Sequence, residues 1–313
     1  MVAIKRFTYK QNRLKQLRAF CYAAQSTSIS RAAEQMFLSQ PSISLLIKAL
    51  EHDLGGTLFH RNGPQIQLTD QGKVLLDLAL PLVEGLETLP EAYHERCNNQ
   101  VSGKLNIAAG ESATLYILPG ILKTFQKTYP DIKVKISNIG EREGLAMLRS
   151  GTVDFAIGTL YEIPDDIVYV PTMSSESLLI TPKNHPLTRI SSVSIADIGQ
   201  YGLILPPRYL STWRMVEYIF KQHNVKYTVT LEASGWEVIK KYVELGMGVS
   251  IVSRLCLTGQ EKLATIPLKA YFPDRQYGVI LRKGKFLTPA SRRFFDMFDK
   301  NAVARIDAHF SNT

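Results

Sequence analysis

The chain has 313 residues, 45% of them hydrophobic and 21% charged, with a formal net charge of +9. That length can bury a substantial core in two or three domains, and the composition is that of a soluble globular protein rather than a low-complexity polymer. Its cysteines, Cys21, Cys97 and Cys256, are far apart and odd in number, without a CxxC pair or zinc-ligand spacing, so a reduced intracellular chain is expected. No run approaches the ~18 apolar residues of a membrane span, and no apolar stretch follows the basic N-terminus as an export signal would require. The expected location is the cytoplasm, with no membrane partner.

The charge is concentrated at the start. Lys5, Arg6, Lys10, Arg13, Lys15, Arg18, Arg31, Lys48 and Arg61 stand against only Glu34, Glu51 and Asp53. Such an excess suits an anionic partner, and a solvated basic tail is the competing reading.

In chain order, Leu17, Phe20, Cys21 and Ala24 form one buried helical stripe. Ser28 reads as the cap of a second short helix, with Ala32 and Ala33 small enough for close packing and Phe37-Leu38 at its end. Ser39 caps a third, with Pro41 in its first turn. There Ile43, Leu46, Ile47 and Leu50 occupy one sector of about 100°. The opposite face carries Pro41, Ser44, Leu45, Lys48 and His52. Asn62-Gly63-Pro64 then reads as the turn of a small hairpin.

From Thr69 to about Cys97 the pattern predicts one long helix with Leu75, Ala79, Leu82, Leu86, Leu89 and Tyr93 as an a/d seam. Unbroken, it would run about 40 Å and need a partner helix. Pro81 and Pro90 predict a kink or an early end, and a core helix of one monomer is the alternative reading. A polar linker, Asn98 to Gly103, leads into strands and helices alternating in two groups, which predicts two α/β lobes.

Three short helices with a tight turn before the third, followed by a hairpin, fit a winged helix-turn-helix whose third helix enters the DNA major groove. Ser44 and Lys48 can reach base edges or phosphates there, and Leu45 can touch a thymine methyl; a stray surface leucine is the bland reading.

Residues 14 to 72 resemble the N-terminal domain of LysR-type transcriptional regulators. The resemblance is carried by Ala32-Ala33, the turn Ser39-Gln40-Pro41-Ser42, Leu50-Glu51, Leu54-Gly55, Leu58-Phe59 with Arg61, and LTDQG at 68–72. It implies a DNA-reading domain over 1–68, a linker and dimerisation helix over 69–97, and a two-lobed, periplasmic-binding-protein-like effector domain over 98–313. Lobe I would take about 103–170 and 275–313, and lobe II about 171–274. It further implies double-stranded DNA, a small-molecule co-inducer, the chain itself as dimer or tetramer, and RNA polymerase as partners, with no other cofactor. The candidate DNA-facing residues are Arg31, Ser39, Gln40, Pro41, Ser42, Ser44, Leu45, Lys48 and Arg61. The pair Leu45-Leu46 departs from the charged or amide residues common in the family, so base contacts do not carry over there.

In the second half, helix starts bearing hydroxyl, amide or acidic groups follow strands: Glu111, Ser112 and Thr114; Asn138; Ser211 and Thr212; Ser234. Helix N-termini beyond strand ends make anion sites, and ordinary N-caps are the alternative for each one. The stretch WEVIKKYVELGMGVSIVS at 236–253 resembles the sulfur-assimilation, CysB-type branch of the family. In that branch a Thr at the position of Ser112 contacts an anionic or sulfur-containing ligand, which implies a link to sulfur metabolism. Gly110 and Glu111 depart from that branch, and a glutamate there repels a sulfate-like dianion. The histidines are scattered, with no HExxH, no GxSxG and no GxGxxG after a strand, so no catalysis is expected. A cytoplasmic small-molecule-binding protein without a transcription role is the runner-up.

Overall fold

The computed structural model describes residues 12–60, 66–98 and 101–311. Helix α1 (Arg13–Ser26) opens on Asn12, whose side chain accepts the Lys15 N–H. Helix α2 (Ile29–Met36) opens on Ser28, whose hydroxyl accepts the Arg31 N–H, and ends at Phe37, which turns left-handed at φ 54°. Helix α3 (Gln40–Leu54) opens on Ser39, whose hydroxyl accepts the Ser42 N–H, with Pro41 in the first turn as expected. Each such cap contributes about 1 kcal/mol. Ile43, Ile47 and Leu50 bury one face of α3 in a core with Phe20, Cys21, Ala32 and Ala33. Strands β1 (Phe59–His60) and β2 (Gln67–Leu68) pair antiparallel with Phe59 opposite Leu68, forming the small hairpin. Its predicted turn, Arg61 and the basic arm before Asn12 lie outside the described residues.

The expected single linker helix is two, α4 (Asp70–Glu87) and α5 (Leu89–Asn98). They part at Thr88, whose hydroxyl bonds back to the Glu84 and Gly85 carbonyls. The break falls where Pro90 lacks the N–H that would serve the Leu86 carbonyl, whereas Pro81 is held inside α4. The predicted seam is also partly wrong. Leu75 and Ala79 turn into the core of the N-terminal helices with Leu80 and Val83, and the outward stripe runs through Val74, Leu78, Leu82, Leu86, Leu89 and Tyr93.

The rest of the chain runs as β3 (Gly103–Ala109), a helical segment from Glu111 with a π-turn over Ala113–Ile117, α6 (Leu118–Thr128), β4 (Ile132–Asn138), α7 (Glu141–Arg149), β5 (Phe155–Gly158) and β6 (Ile167–Ser175). It continues with β7 (Ser177–Pro182), α8 (Ile195–Gly199), β8 (Gly202–Leu205), α9 (Ser211–Gln222), β9 (Thr228–Glu232), α10 (Trp236–Glu244), β10 (Ser250–Ser253) and β11 (Leu263–Pro267). It then returns through β12 (Arg275–Arg282), α11 (Pro289–Phe298) and α12 (Ala302–Ser311). The C-terminal helical stretch is split after Phe298, where the Asp299 carboxylate takes the Asn301 N–H.

One sheet has the order β4-β3-β5-β12-β6, with β3 parallel to β4 and β5, and β12 antiparallel to both its neighbours. Its core centres on Phe155, Phe294 and Phe295, the first and last rings 4.5 Å apart. Gly278 sits at a bulge where a Cβ would stand 2.4 Å from the Val170 carbonyl oxygen, so only glycine lets β12 lie against β6 there. The other lobe holds β10-β7-β11, antiparallel, and the parallel pair β8-β9, under a core that includes Leu203, Trp213, Phe220 and Ile251. The chain passes between the lobes at Glu176 and again before β12, so residues from both meet along one cleft.

Candidate nucleic-acid interface and effector cleft

The outer face of α3 is built by its inner one. Burying Ile43, Ile47 and Leu50 forces Pro41, Leu45, Lys48 and His52 outward, and Leu45 is left 69% exposed. Ser44 and Ser42 lie half-buried at its edge, and the Ser39 and Ser42 hydroxyls bond each other at 2.8 Å. Gln40 is exposed at the helix start. No acidic residue occupies the first turn, so the free N–H groups and positive end of the helix dipole remain open to a phosphate. Among the described residues Lys48 enters no ion pair. Arg31 is exposed but lines a concavity with Ser150, Gly151 and Thr152, which follow α7, away from this face's centre. Arg61 lies outside the described residues.

In the cleft, the expected hydroxyl caps are absent. The cap positions of α7, α9 and α10 are Gly140, Leu210 and Gly235, and none makes a side-chain cap bond; nor does Ser112. Each predicted group is out of step by a residue or two. Ser211 is already inside α9, Ser234 precedes the cap and is exposed, and Asn138 ends β4. Among the described residues Asn138, Ser211 and Ser234 make no side-chain hydrogen bond.

What joins the lobes instead is a set of cross-cleft contacts. Glu111 Oε1 accepts the backbone N–H of Trp236 at 2.9 Å, at the start of α10. Ser112 Oγ lies 3.7 Å from the Cys256 thiol, and the Tyr116 hydroxyl donates to Glu237 at 2.5 Å. The buried Lys240 ammonium lies 5.3 Å from the Tyr116 ring centroid and bonds Glu261 at 2.7 Å and Glu237 at 2.9 Å. Arg275 donates to Thr212 at 2.8 Å. Among the described residues the buried Thr114 hydroxyl has no hydrogen-bond partner; it lies within the π-turn, a distortion frequent at functional sites.

Electrostatics follows from these contacts. Burial alone would raise the Glu237 and Glu261 carboxyls, but hydrogen bonds from Tyr116 and Lys240, and from Lys240 and Thr258 respectively, outweigh it and hold both below the usual range, Glu261 at about 2. Burial disfavours the Lys240 charge, yet Glu261 and Glu237 more than offset that and raise its pKa. Burial pushes the Cys256 thiol up to about 11 despite the Ser112 hydrogen bond, so it stays protonated at neutral pH.

Of the predicted cleft residues, Glu111, Ser112 and Thr212 reach across or support the cleft. Tyr116, Lys240, Cys256 and Arg275 were not foreseen. Lys240 had a readable signal, a lysine on the buried face of α10 beside Ile239 and Val243; Arg275 at a strand start had none.

Residues 14–73 match the family described as bacterial regulatory helix-turn-helix protein, lysR family, and residues 98–302 match the LysR substrate binding domain. The chain belongs to the LysR family. It is therefore a LysR-type, DNA-binding transcription regulator with a small-molecule-binding effector domain, and not an enzyme. Among LysR relatives, the chain is 29% identical over 290 residues to the HTH-type transcriptional regulator CysB of Haemophilus influenzae, covering 90% of this chain and 88% of that one. It is 28% identical to the RuBisCO operon transcriptional regulator of Allochromatium vinosum, covering 90% and 93%. In fold it is similar to full-length OxyR from Pseudomonas aeruginosa, with a TM-score of 0.69, 23% identity, and 91% and 95% of the two chains covered. Full-length CbnR complexed with its target DNA superposes with a TM-score of 0.55 at 21% identity, covering 92% and 99%.

Proposed function

We propose that this LysR-type regulator reads its operator with the outer face of α3, through Ser39, Gln40, Pro41, Ser42, Ser44, Leu45 and Lys48, with Arg31 and Arg61 on flanking phosphates. The observation that carries this is the division of α3 itself, one face buried in the reader core and the other open, cation-bearing and led by a positive helix end with no acidic residue in its first turn. We assign 1–68 to the reader, 69–97 to the linker and 98–313 to the effector domain. The chain pairs through the exposed stripe from Val74 to Tyr93, an apolar face too long to be left in water. A reader of bacterial operators works in the cytoplasm, beside the DNA and RNA polymerase.

Selection of bound fragments from random duplex DNA, followed by gel-shift titration of the winner at rising salt, tests the reading. Affinity should fall about 10³-fold or more between 50 and 200 mM salt if six or more phosphates are contacted. The shifted complex should hold at least two chains. Failure to enrich any sequence overturns the assignment, and one chain per complex overturns the pairing.

The effector sits between the lobes, near Glu111, Ser112, Thr114 and Thr212, with Asn138, Ser211 and Ser234 at its rim. The sulfur link rests on the resemblance of residues 236–253; the CysB and RuBisCO operon regulators stand only one percentage point apart in identity to this chain. A thermal-shift panel of sulfur metabolites, amino acids and organic acids decides it, since a ligand of the folded state raises its melting temperature. Stabilisation by organic acids alone removes the sulfur link.

A further inference from the structure

Helix α10 has nine residues, and its first N–H groups have no intrahelical acceptor, like those of any helix. Its own cap position offers nothing, because Gly235 has no side chain. The acceptor of the Trp236 N–H comes from the other lobe, as Glu111 Oε1 at 2.9 Å. The approach depends on the glycine. Gly235 holds φ 97°, a conformation side-chain-bearing residues rarely adopt, and a Cβ there would stand 3.3 Å from the same oxygen. Among the described residues no ion pair involves Glu111, so its charge is carried by the helix end. The next residue, Glu237, is a second carboxylate, already engaged by Tyr116 and Lys240. Glu111 Oε2 accepts no hydrogen bond among the described residues.

We propose that Glu111 selects the effector: its carboxylate occupies the N-terminus of α10 as an internal anion, so this end of the cleft rejects oxyanions and accepts a group that donates hydrogen bonds. The proposal rests on the reading of the cleft as the effector site. A free oxyanion arriving at the Trp236 N–H would have to displace a tethered carboxylate and then sit against Glu237. A ligand ammonium, amide or hydroxyl meets the unengaged Oε2 instead. The same hydrogen bond ties lobe I to lobe II, so a ligand that strengthens it favours the closed cleft.

The probe is inorganic sulfate, titrated into the full-length chain against sodium chloride of equal ionic strength. Sulfate salts stabilise folded proteins generally, so the reading is the difference between variants and the native chain. Calorimetric titration should show saturable sulfate binding to Glu111→Thr and Glu111→Ala, tighter by about tenfold or more than any sulfate binding to the native chain. Two variants are used so that one that fails to fold does not end the test. Saturable sulfate binding to the native chain with the same affinity as to the variants overturns the proposal; so does the absence of any gain in a folded variant. The affinity of the sulfate-loaded variant for its selected DNA fragment is then compared with the sulfate-free variant. If sulfate binds Glu111→Thr without altering that affinity, the role of Glu111 stands and the reading of the cleft as the effector site falls.

Discussion

Leu45 gains nothing from folding, a large apolar side chain left 69% exposed at the centre of the α3 outer face. Nothing in the fold needs it there, because Ile43, Ile47 and Leu50 already supply the core contacts. A thymine methyl is the apolar partner a major groove offers, and losing such a contact is worth about 1 kcal/mol, roughly fivefold in affinity. Leu45→Gln should therefore change the selected binding-site logo at a thymine position while moving stability by less than about 0.5 kcal/mol. An unchanged logo would refute the contact. Residue identity also separates the cysteines. Burial pushes the Cys21 thiol up to about 12, so it is a packing residue rather than a thiolate.

Among elements, α10 is anchored through a buried charge. Lys240 projects from its buried face and is satisfied by the Cys256 carbonyl, Glu237 and Glu261, while Glu261 also accepts the Thr258 and Gly259 N–H groups. Glu261 falls from an ordinary value of 4.5 to about 2 in the folded chain, which solvent screening of the pair limits to about 1–2 kcal/mol of stability. Its folded pKa is depressed, so the stabilisation is complete above about pH 4.5 and fades as the pH falls toward 2. Chemical denaturation of Glu261→Gln should show a loss of about 1–2 kcal/mol at pH 7, with the gap to the native chain narrowing below pH 4.5. A gap independent of pH would mean that packing, not charge, holds this element. The linker shows a different logic, since the break at Thr88 leaves α5 free to take its own direction. There Glu95 pairs with Arg293 of α11 at 2.9 Å.

For the whole molecule, the question is how the effector domain addresses the reader. The joint is a nearly buried charge cluster in which Glu84 of α4 takes Arg282 at 3.0 Å and Lys285 at 3.1 Å, and Lys285 also faces Asp154 at 3.6 Å. Arg282 ends β12 and Lys285 follows it, so these pairs tie the five-stranded sheet to α4. Around them Phe286 packs on Gly85, and the Gln25 amide lies where a side chain on Gly151 would go. Removing one partner of a buried pair leaves the others uncompensated, which costs about 3–5 kcal/mol. Glu84→Ala should lower stability by an amount of that order and abolish the effector-dependent change in DNA affinity while effector-free DNA binding survives. A double-mutant cycle with Lys285→Ala should give a coupling of about 1 kcal/mol or more; additivity would show that the joint transmits nothing.

The sequence alone was enough for what depends on near neighbours. Ser28 and Ser39 announce helix starts because a cap bond spans three residues, and Ile43, Ile47 and Leu50 announce a buried face because helical period is local. The reader, its hairpin and the alternation of strands and helices were legible on those grounds. Two neighbouring stripes of α4 are both apolar, so only packing decided that Leu75 and Ala79 face the core while Val74 and Leu78 face out. The cap of α10 was hidden for a stronger reason. Its acceptor, Glu111, lies 125 residues away, and no local pattern carries a hydrogen bond that exists only when two lobes close on each other.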